Sequence, residues 1–537
     1  MATQTNINFG FHHSNWKQLT LHFAITILIG ITLRLTTFQE STVIASQLGS
    51  ERYLSKTSFL ISFGFTKAIS NLVVGRISDI WGRKLPHVIG WGFGILLGCS
   101  LLKLASITTT SSDGDHTDTD TTNHHLLWMT YVFANICLGA QQGWTWTTNI
   151  FMFIDILGPK NRALASAISN SVGYLTSAFA TYAAASLSTD VAFGLVLASS
   201  LVGCSISMFL IEDTSHFVAR ESVRGDHHSH GQQRQEEQSV VVCGEQEMVR
   251  RRDVVNEEGN TNAADTTIHQ MGEDQTNVED DQDEAFGDHF GLEEDADKDR
   301  HQQPSIILEQ SFFASVFWET CWQNPSAAVL CWGGLTANLV TSLAWGLVLI
   351  WGHQQDLTSL QLANIGSAFT FSKAFAMIVS GYISDRTDRR RSVLLGGFVV
   401  TSAGLLLTAW ADATTNPTEI YIRLCVGGII IGCGIGSVYC VLTAALSDHT
   451  APRDRASAIG VYKLWRDSGY AFGGLLTGWV ADASGGSFVT TTTVVAGLVM
   501  VLVVSIGGLY EEVSSKTRPS FEPVELIENT NKVREID

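Results

Sequence analysis

The apolar residues of this chain are gathered into twelve runs, at roughly 17–39, 55–75, 85–105, 126–153, 163–187, 190–211, 326–351, 358–381, 392–411, 419–447, 456–481 and 488–509. Most are close to the ~20 residues that span ~30 Å of hydrocarbon as a helix. Few alternate with period two, so barrel strands do not fit. In lipid a helix satisfies its own backbone groups, and the runs therefore predict an all-α integral membrane protein of twelve transmembrane helices.

The runs are not independent. Gly75-Arg76-Ile77-Ser78-Asp79-Ile80-Trp81-Gly82-Arg83-Lys84 is a charged turn between the second and third. It returns between the eighth and ninth as Gly381-Tyr382-Ile383-Ser384-Asp385-Arg386-Thr387-Asp388-Arg389-Arg390-Arg391, 306 residues later. Phe63 to Ala68 maps onto Phe369 to Ala374 at the same offset, and Trp16 onto Trp322. Beyond the third run the offset becomes 293: Gly139, Gly143, Asp155, Pro159, Arg162 and Ala163 map onto Gly432, Gly436, Asp448, Pro452, Arg455 and Ala456. The polar stretch from Ser106 to His125 accounts for the extra length of the first copy. A unit of six helices used twice predicts two pseudo-symmetric bundles, 1–211 and 311–510, followed by a tail, 511–537.

Charge is distributed in the same pattern. The net charge of −19 belongs almost wholly to the stretch from Glu212 to Glu309, which holds 26 acidic and 8 basic side chains. With few large apolar residues to bury, 212–310 is expected to be a disordered acidic linker. Elsewhere only Lys/Arg-rich turns stand out, after runs 2, 4, 8 and 10, and the positive-inside bias places them, the termini and the linker in the cytoplasm. The plasma membrane is the expected location, and a monomer the expected state. An acidic balance argues against nucleic acid as a partner. The nine cysteines form neither a disulfide framework nor a metal spacing. The His-containing stretches Asp113 to His116 and His227 to His230 lack structural-site spacing, so no metal or other cofactor is expected.

The turn Gly75 to Lys84, its repeat and the twelve runs around a long central linker resemble the signature of the major facilitator superfamily. The resemblance covers about 15–211 and 311–510 and implies the major facilitator fold, with two halves that rock about a central site to give alternating access. It implies that helices 1, 4, 7 and 10 line the cavity, that 2, 5, 8 and 11 form the seam, and that 3, 6, 9 and 12 face lipid. It assigns gating to Gly75, Asp79, Gly82, Arg83, Asp155 and Arg162, and in the second copy to Asp385, Arg389, Asp448 and Arg455. Two departures stand in the sequence: Asp388 replaces the turn glycine Gly82, and Asn135 occupies the early fourth-helix position where many relatives carry arginine.

Ionisable groups within apolar runs are costly and mark function by default. Arg34 lies in run 1, Lys67 in run 2, Lys373 at the equivalent depth of run 8, and Lys463, Arg466 and Asp467 on one face of run 11. One carboxylate among these cations predicts a cavity for an organic or inorganic anion. Snorkelling of Lys67 and Lys373 to the cytoplasmic edge is the competing reading. Gln141, Gln142, Trp144 and Trp146 of run 4, with Asn170 and Asn338, are further candidate substrate contacts.

No Walker loop, nucleophile elbow or zincin pattern occurs, so neither ATP-driven pumping nor an enzymatic activity is expected. The expected function is secondary active transport of a small, anionic solute. A proton-coupled exporter of drug-like amphiphiles, with Asp467 or Glu40 titrating, remains open. So does a non-transporting receptor that signals through the linker.

Overall fold

Helix after helix starts where the sequence supplies a cap. Asn324 accepts from the Ala327 N–H at 3.1 Å with Pro325 in the first turn, and Asn416 accepts from Thr418 at 3.0 Å ahead of Pro417. Ser487 caps the last long helix through the Thr490 N–H at 3.2 Å. The computed structural model describes residues 13–47, 52–112, 120–157, 162–214, 314–387, 389–450 and 455–513. They are nearly all helical and belong to one compact unit. The acidic linker, from 215 to 313, lies outside them.

The long helices are α1 His13–Gln39, α2 Ser58–Trp81, α3 Lys84–Ser112, α4 Asp120–Leu157, α5 Arg162–Ser186 and α6 Thr189–Phe209. The second set is α7 Pro325–Trp345, α8 Ser359–Thr387, α9 Arg390–Ala409, α10 Pro417–Asp448, α11 Arg455–Ala483 and α12 Phe488–Leu509. α1 runs on through a π-turn, Glu40–Ile44. α7 is interrupted at Gly346, whose backbone abuts the Leu60 side chain, and resumes as Leu347–Gln354. The polar stretch 106–125, read from sequence as a connection, is helical up to Ser112 and again from Asp120.

Among the described residues nine helices are long and apolar enough to cross a membrane on their own. α4, α5 and α11 fall short because polar side chains occupy their middles: Gln141, Gln142 and Asn149; Asn170, Ser177 and Thr181; Lys463, Arg466 and Asp467. Such helices are held only where other helices cover them.

Packing follows the repeat. Within the first set α2 and α3 pack on α4, α3 on α6, and α1 on α5; within the second, α8 and α9 pack on α10, α9 on α12, and α7 on α11. The two sets meet where α2 packs against α11 and α5 against α8. α7 is 94% buried over its apolar window, whereas α6 and α12 are 33% buried, so α7 is central and the other two are peripheral. The outward side chains of the peripheral pair are large and apolar, including Leu201, Phe209, Val501 and Val504, as a lipid-facing surface requires.

Residues 212–214, which composition assigns to the linker, are tied to the first bundle instead. The Asp213 carboxylate accepts from the backbone N–H of Arg83 at 3.3 Å and of Lys84 at 3.4 Å, and Thr214 donates to Asp155 Oδ2 at 2.7 Å. Gly82, at φ +80°, turns the chain between α2 and α3, and any Cβ there would collide with the Asp213 carboxylate.

Candidate functional site

Where the two sets of helices meet, the buried side chains are polar and aromatic. Leu33 of α1, Lys67 and Asn71 of α2, Trp146, Thr147 and Ile150 of α4 and Tyr174 of α5 face Tyr439 of α10 and Lys463, Arg466, Asp467 and Tyr470 of α11. In this state they close around a cavity of about 10 Å³, room for roughly one water.

Asp467 is the hub. Arg466 folds back on it in a fork, Nε to Oδ1 at 2.7 Å and Nη2 to Oδ2 at 2.9 Å. Asn338 of α7 donates to Oδ1 at 3.0 Å, and Asn71 of α2 donates to Oδ2. Thr147 of α4 orients Asn71 by donating to its Oδ1 at 2.6 Å. One carboxylate therefore gathers donors from three helices across the seam.

The lysines are held by rings. Lys67 Nζ lies 5.2 Å from the Tyr470 ring, 5.3 Å from Phe63 and 5.6 Å from Trp146. Lys373 Nζ lies 4.3 Å from Tyr174 and 4.6 Å from Tyr439, and donates to Thr341 Oγ1 at 3.2 Å. Lys463 Nζ stands 4.8 Å over Phe151, and Arg466 5.3 Å over Tyr439. Aromatic faces attract a cation without neutralising it. Arg34, fully buried nearer the other end of the seam, lies 4.9 Å over Trp345 and donates to Thr181 at 3.0 Å and Thr37 at 3.3 Å. Lys67, Lys373, Lys463 and the slightly exposed Arg466 thus gather about Asp467, the one carboxylate among the described residues that lines the cavity, with Arg34 buried farther along the seam. Snorkelling does not describe Lys67 or Lys373, since both side chains turn into the protein and are buried.

The sequence candidates divide. Lys67, Trp146, Lys463, Arg466 and Asp467 line the cavity, Asn338 stands directly behind it, and Lys373 sits behind Tyr174 and Tyr439. Asn170 is one step removed, accepting from Trp146 Nε1 at 3.1 Å. Gln141, Gln142 and Trp144 are not brought there. Gln142 donates to the Ile29 carbonyl of α1 at 3.3 Å and to Gln141 Oε1 at 2.7 Å, and the Trp144 ring packs on Phe93 of α3. Their helix faces look into the first bundle, away from the seam. Sequence reading missed Tyr174, Tyr439 and Tyr470. The repeat held a signal for one of them, because Trp146 maps onto Tyr439 at the offset of 293.

The gating candidates occupy the face that carries Gly82. Arg83 reaches Asp155 at 3.6 Å. The second copy uses Arg390 rather than the expected Arg389: Arg390 opens α9 and pairs with Asp448 at 2.5 Å, while Arg389 is exposed. The side chains of Asp79, Arg162, Asp385 and Arg455 lie outside the described residues.

The opposite end of the seam is tightly sealed. Asp482 accepts from the backbone N–H groups of Tyr53 at 2.6 Å and Leu54 at 3.1 Å. Tyr53 donates its hydroxyl to Gln354 at 2.6 Å, and burial pushes its phenol above the ordinary range, which keeps that donor proton in place. A Cβ built on Gly474 would stand 3.1 Å from Leu60 and Ile61, and one on Gly478 would stand 2.8 Å from the Leu54 Cα. On the Gly82 side, by contrast, nothing among the described residues lies within 4 Å of a Cβ built on Gly75, Gly381 or Gly460.

A many-helix bundle with an apolar exterior and a buried, charged interior defines a multi-pass integral membrane protein. Residues 22–255 and 330–534 match the profile of the Major Facilitator Superfamily, and the chain belongs to that family of membrane transporters. An assigned tartrate transporter of Agrobacterium vitis is 27% identical over 175 residues, 33% of this chain and 37% of that protein. The facilitated glucose transporter member 10 of solute carrier family 2 from Xenopus tropicalis is 25% identical over 138 residues, 26% of this chain and 23% of that one. The matched stretches therefore span well under half the length of either relative. A crystal structure of the nucleoside transporter NupG shares the fold, with TM-score 0.56 and 12% identity over 91% of this chain and 100% of that one.

Proposed function

We propose that this chain is a secondary transporter that carries a small organic anion by alternating access between two six-helix halves, in twelve crossings. The observation that carries the reading is the charge imbalance at the seam, where Lys67, Lys373, Lys463 and Arg466 gather about Asp467, the one cavity-lining carboxylate among the described residues, and Arg34 is buried beyond them. Excess charge in a low-dielectric interior is unfavourable until a counter-charge arrives. Asp467 is already engaged by Arg466, Asn71 and Asn338, so the counter-charge comes with the solute. The likeness to a tartrate transporter supports an anion, while sugar and nucleoside relatives make neutral polyols the natural comparison.

The seam supports a direction as well. The Lys/Arg bias puts the Gly82 face in the cytoplasm. The sealed Tyr53–Asp482 end then faces outward, and the slack around Gly75, Gly381 and Gly460 is that of a state opening inward.

In proteoliposomes labelled tartrate should be taken up saturably, with glucose and uridine carried negligibly. Lys67→Gln should lower tartrate kcat/KM by about tenfold or more, since a hydrogen bond to a charged group contributes ~1.5–3 kcal/mol. Uptake of the neutral solutes without tartrate, or an unchanged Lys67→Gln variant, overturns the assignment.

Protons are the coupling ion that the geometry favours. Glu40, in the π-turn after α1, is fully buried. Its Oε1 accepts from Asn135 at 2.6 Å, and Oε2 has no hydrogen-bond partner among the described residues. Asp467 is saturated with donors; Glu40 is not, and it is the carboxyl placed to take up and release a proton. Glu40→Gln should leave tartrate exchange across liposomes at equal pH intact and remove the accumulation driven by a pH gradient. Retained pH-driven accumulation would rule Glu40 out.

A further inference from the structure

The repeat that relates the two halves of the sequence reappears around two lysines. Lys67 maps onto Lys373 and Phe63 onto Phe369 at offset 306, and Trp146 onto Tyr439 at offset 293. Lys67 is caged by Phe63, Trp146 and Tyr470, and Lys373 by Phe369 (6.0 Å), Tyr439 and Tyr174. Each cage takes one ring from the lysine's own helix, one from α4 or its counterpart α10, and a tyrosine from the opposite half. The two cages are pseudo-symmetric across the seam.

They differ in access. Lys67 lines the cavity, whereas Lys373 is fully buried behind Tyr174 and Tyr439, which do line it. Those two tyrosines belong to different halves, and the Tyr174 hydroxyl donates to that of Tyr439 at 3.2 Å, with the rings edge to face. This bond must break when the halves move apart. The only side-chain oxygen hydrogen-bonded to Lys373 among the described residues is Thr341 Oγ1, which in turn donates to the Ala337 carbonyl. Among the described residues no carboxylate is hydrogen-bonded to Lys373.

We propose that the site takes a dianion, a compact dicarboxylate with one carboxylate on Lys67 and the other on Lys373, and that the Tyr174–Tyr439 pair is the shutter that uncovers Lys373 as the halves rearrange. The proposal rests on the anion reading above and narrows it. A single anionic group satisfies one cage and leaves its twin uncompensated, whereas two linked carboxylates satisfy both and draw the halves together. Tyr174 and Tyr439 then serve specificity: only a solute long enough to reach past them gains the second ammonium.

Tartrate and its monoamide have nearly the same shape and differ by one charge, so their competition against labelled tartrate, on the full chain in nanodiscs, reads the second contact directly. The wild type should bind tartrate at least tenfold more tightly than the monoamide. Lys373→Met keeps the length of the side chain without its charge, and it removes a buried charge, itself costly, without leaving a hydrogen-bonded carboxylate unpaired among the described residues. It should bring the ratio to about one through a loss of tartrate affinity alone, with the monoamide unaffected, and Lys373→Arg should restore the preference. Equal binding of the two ligands by the wild type, or a ratio unchanged in Lys373→Met, overturns the dianion proposal and leaves the anion reading standing. Binding of neither ligand, with glucose or uridine bound instead, overturns both. Inorganic phosphate concentrates its charge on one centre and should compete no better than the monoamide; tight phosphate binding overturns the two-cage arrangement.

Discussion

Asp467→Ala should destabilise the purified protein by about 3–5 kcal/mol, the usual consequence of removing one partner from a buried ion pair. The reason lies in what the carboxylate holds. Without it the Arg466 fork has no acceptor, the donors of Asn71 and Asn338 lose theirs, and Lys67 and Lys463 lose the one negative charge that shares the cavity lining with them among the described residues. The midpoint of thermal unfolding in detergent, followed by tryptophan fluorescence, should fall accordingly. Asp467→Asn keeps the shape and removes only the charge, and it should behave almost as badly as alanine. The double variant Arg466→Gln with Asp467→Asn should recover much of the loss, because the two changes share one interaction and cannot be additive. If Asp467→Asn matched the wild type, Asp467 would be a hydrogen-bond hub and not a counter-charge, and the charge imbalance behind the anion reading would lose its meaning.

Much of this was legible in the residues, for identifiable reasons. Apolar runs and a 306-residue echo mark helices and their duplication, because lipid imposes length and the repeat preserves spacing. Lys67, Lys373, Lys463, Arg466 and Asp467 could be picked out because a charge in an apolar run has few innocent explanations. Tyrosines 174, 439 and 470 could not, because a tyrosine within a helix is compatible with core, interface or site alike. Gln141, Gln142 and Trp144 misled for a related reason. Polarity on a cavity helix says nothing about which way the face turns, and here the glutamines bond toward α1. The Arg389 assignment failed by one residue because offset copying assumes an identical turn. With Asp388 where the first copy has Gly82, the residue that opens α9 and meets Asp448 is Arg390.

The seam makes the strongest mechanical prediction, and it is carried by glycines. Gly64 of α2 lies against Tyr470 and Ala471 of α11 so closely that a Cβ there would stand 2.8 Å from the Tyr470 Cβ and collide with the Ala471 backbone nitrogen. Overpacking costs about 1–3 kcal/mol where neighbours can shift; here a neighbour is backbone, which cannot rotate away, so the penalty is larger. Gly64→Leu should therefore leave each half folded and prevent the halves from closing at the Tyr53–Asp482 end. A differential of ~5.5 kcal/mol moves a two-state equilibrium from 1:99 to 99:1, so a severe clash suffices to hold the seam open. Leu60, fully buried on the same end against Gly346 and Gly474, is the reporter. A cysteine at Leu60 should resist a membrane-impermeant maleimide in the wild-type background and react readily beside Gly64→Leu, while net transport falls by at least a hundredfold. Gly75→Leu should do the reverse. Its Cβ meets nothing among the described residues here, so this state is kept, Leu60→Cys stays protected, and transport stops because the Gly82 face can no longer close. Protection of Leu60→Cys in both variants, with transport intact, would mean that the tight contact of α2 with α11 is static packing and that the halves do not part along it.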